Sequence, residues 1–244
     1  MLGSYLKKLY ERTMDEAYGL AAREIYSTLK QGGKCLDCGA QEGNWYEKLS
    51  SEINLNRSQY FGIEWNKDCV EKAIAKGLNI KLGDLNNNIP YGDNSFKCIF
   101  ALSVLEHLLN GCNFLKECHR MLENDGKLIL LTPNISTYFT AFLILAGKMP
   151  SSGPHPDSEA LIRDEELYKV SSEVIKSDVE SDTPLHRHMV IFSFRVLRKY
   201  LMLIGFTEVQ GYGFGLYPFP NFMQSLLEKI DPYHCHQMVF IARK

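Results

Sequence analysis

The chain has 244 residues, 45% hydrophobic and 23% charged, with a net charge of −2, the composition of a soluble globular protein large enough for one α/β domain with or without an insertion. That balance lacks the basic footprint by which proteins grip nucleic-acid phosphates, so no nucleic-acid partner is expected. The longest apolar stretch, residues 138–146, is too short to span a bilayer, and the N-terminus reads as an amphipathic helix, not a secretory signal.

Apolar residues at helical spacing predict a helix over residues 5–29, ended by Gln31-Gly32-Gly33. A short apolar strand at 34–38 runs into the turn GAQEG and a helix at 44–51. Strands at 60–64 and 79–82 flank a helix at 67–77. The turn-rich NNNIPYGDNS leads to a strand at 97–102, a helix at 110–122 and a strand at 127–132, which Pro133-Asn134 stops. Strand alternating with helix predicts an α/β fold: a Rossmann-like, doubly wound, mostly parallel sheet with helices on both faces.

The pattern then changes. Residues 135–149 read as a helix, and the lack of a basic face on 138–146 favours a buried core helix over one that touches a membrane. Residues 150–184 are rich in Ser, Asp, Glu and Pro, with a weakly helical piece at 158–176, and read as an insertion over the strand ends. A helix at 193–204, capped by Gly205, precedes strands at 207–212 and 236–243. A long aromatic connector joins those two strands, which suits an antiparallel pair at the sheet edge. The expected organisation is one domain over 1–244: an N-terminal helical lid (1–33), a cofactor-binding core (34–134), the insertion (135–190) and the rest of the sheet (191–244).

Four features fall at the carboxyl ends of successive predicted strands. They are Asp37 before the Gly39–Gly43 turn, Glu64, Gly83-Asp84-Leu85, and the run Ser103-Val104-Leu105-Glu106-His107. A turn close enough to touch a ligand, with a carboxylate one strand over to accept from a ribose diol, is the logic of nucleotide binding on a parallel sheet. Cys35 and Cys38 form a C-x-x-C, but no second such pair or nearby His pair completes a tetrahedral site, so no metal is expected. The seven scattered cysteines read as small apolar residues in a reduced cytoplasm.

The runs LDCGAQEG, GLNIKLGDLNNNIPYGDNSF, LSVLEHL and LKECHRMLENDGKLILLTPN, with the later FSFRVLRKYLMLIGF, resemble the class I S-adenosylmethionine (SAM)-dependent methyltransferases. The likeness is to the small-molecule branch (ubiquinone/menaquinone, sugar or natural-product type) and runs from 34 to 134. It implies that the turn of Asp37, Cys38, Gly39 and Ala40, with Gly43, cradles the methionine part of SAM. Glu64 would accept from the ribose hydroxyls, with Trp65 beside the adenine. Asp84 would accept from the adenine amino group, with the Leu85 amide alongside, and Ala101 and Leu102 would present backbone near the methionine amino group. The lesser alternatives are that Asp84 is a turn residue after the third strand and Glu64 a charge favoured at a helix N-terminus. Gln41 stands where the family's commonest turn has another glycine, so the loop must reach its shape without glycine's freedom. Lys97 replaces the usual acid at the start of the fourth strand, at the end away from the ligand.

The implied reaction moves the methyl of SAM to a small-molecule or lipid-like acceptor, with oxygen slightly preferred, and releases S-adenosylhomocysteine. A general base helps if the acceptor is a hydroxyl or a protonated amine. The candidates are His107, His186 and His188, since imidazoles titrate near neutral pH; His107 also reads as a packing or capping residue. Arg187 either pairs an acidic acceptor or sits in solvent. The aromatic connector 211–222 either walls an acceptor pocket or packs on the sheet edge, and Tyr5 and Tyr10 either fold over the cofactor or belong to the core. Two rival readings stand beside this one. A nicotinamide-dependent oxidoreductase is disfavoured because Gln41 breaks the G-x-G-x-x-G pattern; a methyltransferase-like subunit that holds SAM without turnover is the other.

Overall fold

The computed structural model describes residues 2–150, 152–158, 160–161 and 187–244. Five strands, β1 (Cys35–Cys38), β2 (Tyr60–Glu64), β3 (Asn79–Leu82), β4 (Phe96–Leu102) and β5 (Leu122–Pro133), run parallel. Two more, β6 (Glu208–Phe214) and β7 (Gln237–Arg243), complete a sheet of order β3-β2-β1-β4-β5-β7-β6. β7 is antiparallel to both neighbours. The last two strands therefore pair antiparallel as expected, but β7 slots between β5 and β6 and is buried along nearly its whole length. β6 alone forms that edge, and its alternating exposure matches a strand with one solvated face.

Helices cover both faces. On one, α1 (Leu2–Leu29), α2 (Asn44–Ile53) and α3 (Lys67–Ala75) bury Ala17, Ala21, Ile25, Leu49, Val70 and Ala73 against the sheet. On the other, α4 (Gly111–Met121) and α6 (Phe194–Leu203) lie to either side, in chain order, of the shorter α5 (Tyr138–Leu145). There α4 offers Phe114, Leu115, Cys118 and Met121, one stripe at helical spacing, while α6 adds Phe194, Leu197 and Leu201. Cys35 and Cys38 pack into the cores on opposite faces of β1, which follows from a spacing of three on a strand of period two. All seven cysteines are free thiols.

Two expectations are corrected. α5 is not a core helix: Thr140 and Leu143 are buried, but Phe142 is 65% and Leu145 89% exposed. A short segment that is apolar all round buries one side and leaves the rest in solvent. The connector between the last strands is not wholly a loop either, because Asn221–Ile230 forms a helix, α7, with Phe222, Leu226 and Ile230 exposed at successive i+4 positions. Most of the polar insertion, with the weak helix expected at 158–176, lies outside the described residues. No helix among the described residues is long and apolar enough to cross a membrane.

Candidate functional site

The strand order reverses between β1 and β4, and the carboxyl ends of β1, β2, β3 and β4 open onto one cleft of about 1240 Å³. This is the crevice in which open α/β sheets bind ligands. Its floor begins with the turn after β1. The Gly39 and Ala40 amides donate to the Ile63 carbonyl at 2.9 and 3.1 Å, which ties the turn to β2. Gly39 has φ +81°, and a Cβ there would lie 2.7 Å from a Val104 methyl, so glycine is required.

Gln41 takes up a left-handed conformation, φ +48°, that costs a non-glycine residue roughly 1–2 kcal/mol. Glu64 compensates. One of its carboxylate oxygens accepts from the Gln41 amide and the other from the Asn66 amide, both at 2.9 Å. The buried carboxylate thus clasps the Gly39–Gly43 turn on one side and the start of α3 on the other. Beside it Trp65 (57% exposed) and Leu82 (54% exposed) line the cleft with apolar surface facing water. Asp84 is exposed on the cleft wall, its carboxylate accepting from the Asn86 amide at 2.9 Å, and the buried Leu85 follows it.

The other end of the cleft is built from the turn after β4 and from segments distant in sequence. Ser103, also left-handed with φ +57°, shares a 3.1 Å hydrogen bond with the Tyr18 hydroxyl, which docks α1 against the turn. Tyr10, Met14 and Tyr18 of α1 line the cleft. Glu106 is buried and accepts from Thr132 Oγ1 at 2.9 Å; burial pushes its carboxyl up to about 7. His107 Nδ1 lies 3.0 Å from the Arg187 carbonyl, and the Met189 amide donates to the Glu106 carbonyl at 2.7 Å. Segment 187–190 is thereby pinned across the β4 exit, bringing His188 within a ring-centroid distance of 5.3 Å of His107. His188 also stacks on His155 at 4.5 Å. Burial lowers both His107 and His188 from the usual imidazole range, and in His188 the neighbouring histidines add to the effect. His236 sits at the start of β7, its Nδ1 3.1 Å from Ser152 Oγ, and burial takes it down to about 4.

Of the residues singled out in the sequence, Gly39, Glu64, Trp65, Asp84, Leu85 and Leu102 line the cleft, and so do His107 and His188. Asp37, Cys38, Ala40, Gly43 and Ala101 are buried and do not line it. Asp37 receives the Tyr60 hydroxyl, and burial raises its carboxyl to about 7. His186 lies outside the described residues. Tyr5 is remote from the cleft, its hydroxyl accepting from the Asn221 amide. Of the aromatic connector, Tyr217 packs against His236 at 5.0 Å, behind the cleft wall. Sequence reading missed Tyr18, Glu106, His236 and Gln237 as lining groups. Glu106 stood in a quoted motif, overshadowed by His107, and the other three had no local signal.

The family model described as Methyltransferase domain matches residues 10–210. A demethylmenaquinone methyltransferase of Staphylococcus epidermidis is 26% identical over 151 residues, which is 55% of this chain and 62% of that protein. Among solved structures, a SAM-dependent methyltransferase of Thermotoga maritima, described as a possible histamine N-methyltransferase, matches with a TM-score of 0.51 at 15% identity, covering 97% of this chain and 99% of that one. Phosphoethanolamine N-methyltransferase 2 of Haemonchus contortus, solved with SAM, matches with a TM-score of 0.54 at 14% identity, covering 87% and 49%. At such identities the structural matches speak for the fold alone. The chain spans between 39% and 62% of the length of the curated relatives it matches.

Proposed function

Because the chain belongs to the methyltransferase-domain family, we propose that it transfers the methyl group of SAM to a small-molecule or lipid-like acceptor, with oxygen favoured as the accepting atom. The observation that carries this reading is the single cleft joining a nucleotide-type end to an end lined by Glu106, His107, His188 and His236. Its volume of about 1240 Å³ exceeds the roughly 300–1,000 Å³ typical of a pocket for one small molecule, so donor and acceptor have room together.

The residues present suit the donor. Gly39 leaves space that any Cβ would fill, Glu64 places a carboxylate beside the turn, and Trp65 and Leu82 offer apolar faces for a flat base. SAM supplies a methyl already made electrophilic by its sulfonium, so the protein's task is alignment and exclusion of water. In this chain α1 is placed to limit water access: Tyr10, Met14 and Tyr18 line the cleft, and the Tyr18–Ser103 hydrogen bond docks α1 against it. At the acceptor end, carboxylate and imidazole groups are suited to orient a hydroxyl and receive its proton, and no cysteine lines that end. The exposed apolar residues of α5 and α7, linked by the 2.6 Å Tyr138–Asp231 hydrogen bond, favour an acceptor with a hydrophobic portion. Seven free thiols favour a reducing, cytoplasmic setting.

Thermal-shift and calorimetric titration with SAM, S-adenosylhomocysteine and NAD tests the donor. Stabilisation by the two sulfur nucleotides and not by NAD is expected; the reverse would overturn the reading. Incubation with methyl-labelled SAM and fractionated cell extract then identifies the acceptor class, and absence of transfer to any fraction would favour a non-catalytic SAM-binding role.

A further inference from the structure

Glu106, His107 and His188 each offer a donor atom such that the three lie within 4.8 Å of one another, at the acceptor end of the cleft. We infer that they form a binding site for a divalent transition-metal ion that holds the acceptor's hydroxyl oxygen. The inference rests on the methyl-transfer reading for its purpose, but not for its geometry.

Three observations carry it. Two imidazoles and one carboxylate, facing a cleft that a further ligand can enter, make the donor set of open sites for zinc, iron, cobalt or manganese. Neighbouring donors round a tetrahedral ion stand about 3.4 Å apart, so modest side-chain rotation draws these three together from their separations of up to 4.8 Å. Secondly, the supports match those of metal ligands, which are oriented by hydrogen bonds to carbonyls and side chains behind them. His107 Nδ1 meets the Arg187 carbonyl at 3.0 Å, which directs Nε2 as the lone-pair nitrogen. Thr132 holds one oxygen of the Glu106 carboxylate at 2.9 Å. Thirdly, His188 Nδ1 is buried and has no hydrogen-bond partner, one of three such side-chain atoms among the described residues. A second, Gln237 Oε1, lines the same cleft. Buried polar atoms are rarely left unpaired, and their concentration on one cavity points to ligands that complete it.

A bound ion would lower the pKa of an acceptor hydroxyl on coordination. The O–H bond breaks, its electron pair stays on the metal-held oxygen, and the proton leaves to water. The oxygen is then presented as the nucleophile a sulfonium methyl requires.

The test uses the full chain freed of metal by chelator and dialysis, then titrated with Co²⁺ while its visible absorption is followed. One Co²⁺ per chain, with the intense visible bands of a four- or five-coordinate site and displaced by Zn²⁺, is expected. His188→Ala and Glu106→Gln should each weaken binding at least tenfold. The SAM-induced thermal shift, measured on the same variants, reports that they are folded and that the donor end is intact. No Co²⁺ bands in the wild type, or bands and affinity unchanged in both variants, would overturn the site. Loss of the SAM shift in a wild type that still binds Co²⁺ would leave the metal site standing and count against methyl transfer instead.

Discussion

Replacing Glu64 with Gln removes one acceptor from a carboxylate that has two backbone amides to satisfy. In the wild type each oxygen takes one N–H, from Gln41 and from Asn66, at 2.9 Å. A Gln amide can accept from one of them, but its NH₂ then faces the other donor. The lost charge-assisted hydrogen bond and the amide left facing a donor together cost about 2 kcal/mol. If SAM binding must restore the turn, that cost appears as a weakening of roughly 30-fold in affinity. The left-handed Gln41 supplies an internal check. Glycine at 41 relieves roughly 1 kcal/mol of backbone strain, so Gln41→Gly placed on top of Glu64→Gln should recover part of the loss. Calorimetry with SAM on the four proteins of the cycle measures this, and hydrogen exchange at the Gln41 amide reports the turn directly. An affinity within twofold of wild type for Glu64→Gln, with the Gln41 amide as protected as before, would refute the clasp.

Asp37 gives a pH prediction of definite sign. Its carboxyl titrates near 7 in the folded chain against about 3.8 unfolded, so its contribution is present below pH 4 and is lost as pH rises towards 7. Between pH 5 and 7 the wild type should lose about 2 kcal/mol relative to Asp37→Asn, which keeps an acceptor for Tyr60; parallel urea-unfolding profiles for the two would exclude this. His236 acts in the opposite direction. Held neutral down to about pH 4 against 6.5 unfolded, it supports the fold above pH 6.5 and loses that support on acidification. His236→Gln should remove about 2 kcal/mol of the stability change between pH 7 and 5, and an identical acid slope would refute it. Gly39→Ala combines a left-handed φ with a contact 2.7 Å from Val104, so the unfolding free energy from denaturant titration should fall by about 2 kcal/mol or more and the SAM-induced thermal shift should vanish. A variant with unchanged stability and SAM response would show that the turn adapts.

The turn after β1 and the carboxylate beside it were legible because their determinants are local. A strand, a glycine turn and an acid at the next strand's end are short-range patterns, and parallel alternation places their ends on one edge of the sheet. Hence Gly39, Glu64, Trp65 and Asp84 line one cleft. Gln41 shows what such patterns leave out: its φ of +48° is sustained by a carboxylate 23 residues further along the chain. Spacing also said nothing of which side chains would be covered. Asp37 stands beside the turn in sequence, yet strand alternation aims it at Tyr60 and the core.

The opposite end of the cleft depended on tertiary structure. β7 runs antiparallel, so its first residue, Gln237, and His236 just before it arrive at the edge where the parallel strands finish. Tyr18 reaches the cleft because α1 packs along the sheet, and His188 because the Glu106 carbonyl captures the Met189 amide. By itself the amino-acid order determined the α/β class, the alternation of elements and the glycine turn after β1, since each is set by periodicity and backbone chemistry over a few residues. Tertiary packing alone decided that Glu106, His107 and His188 share one space, since residues 106 and 188 meet through long-range contacts that no local pattern records.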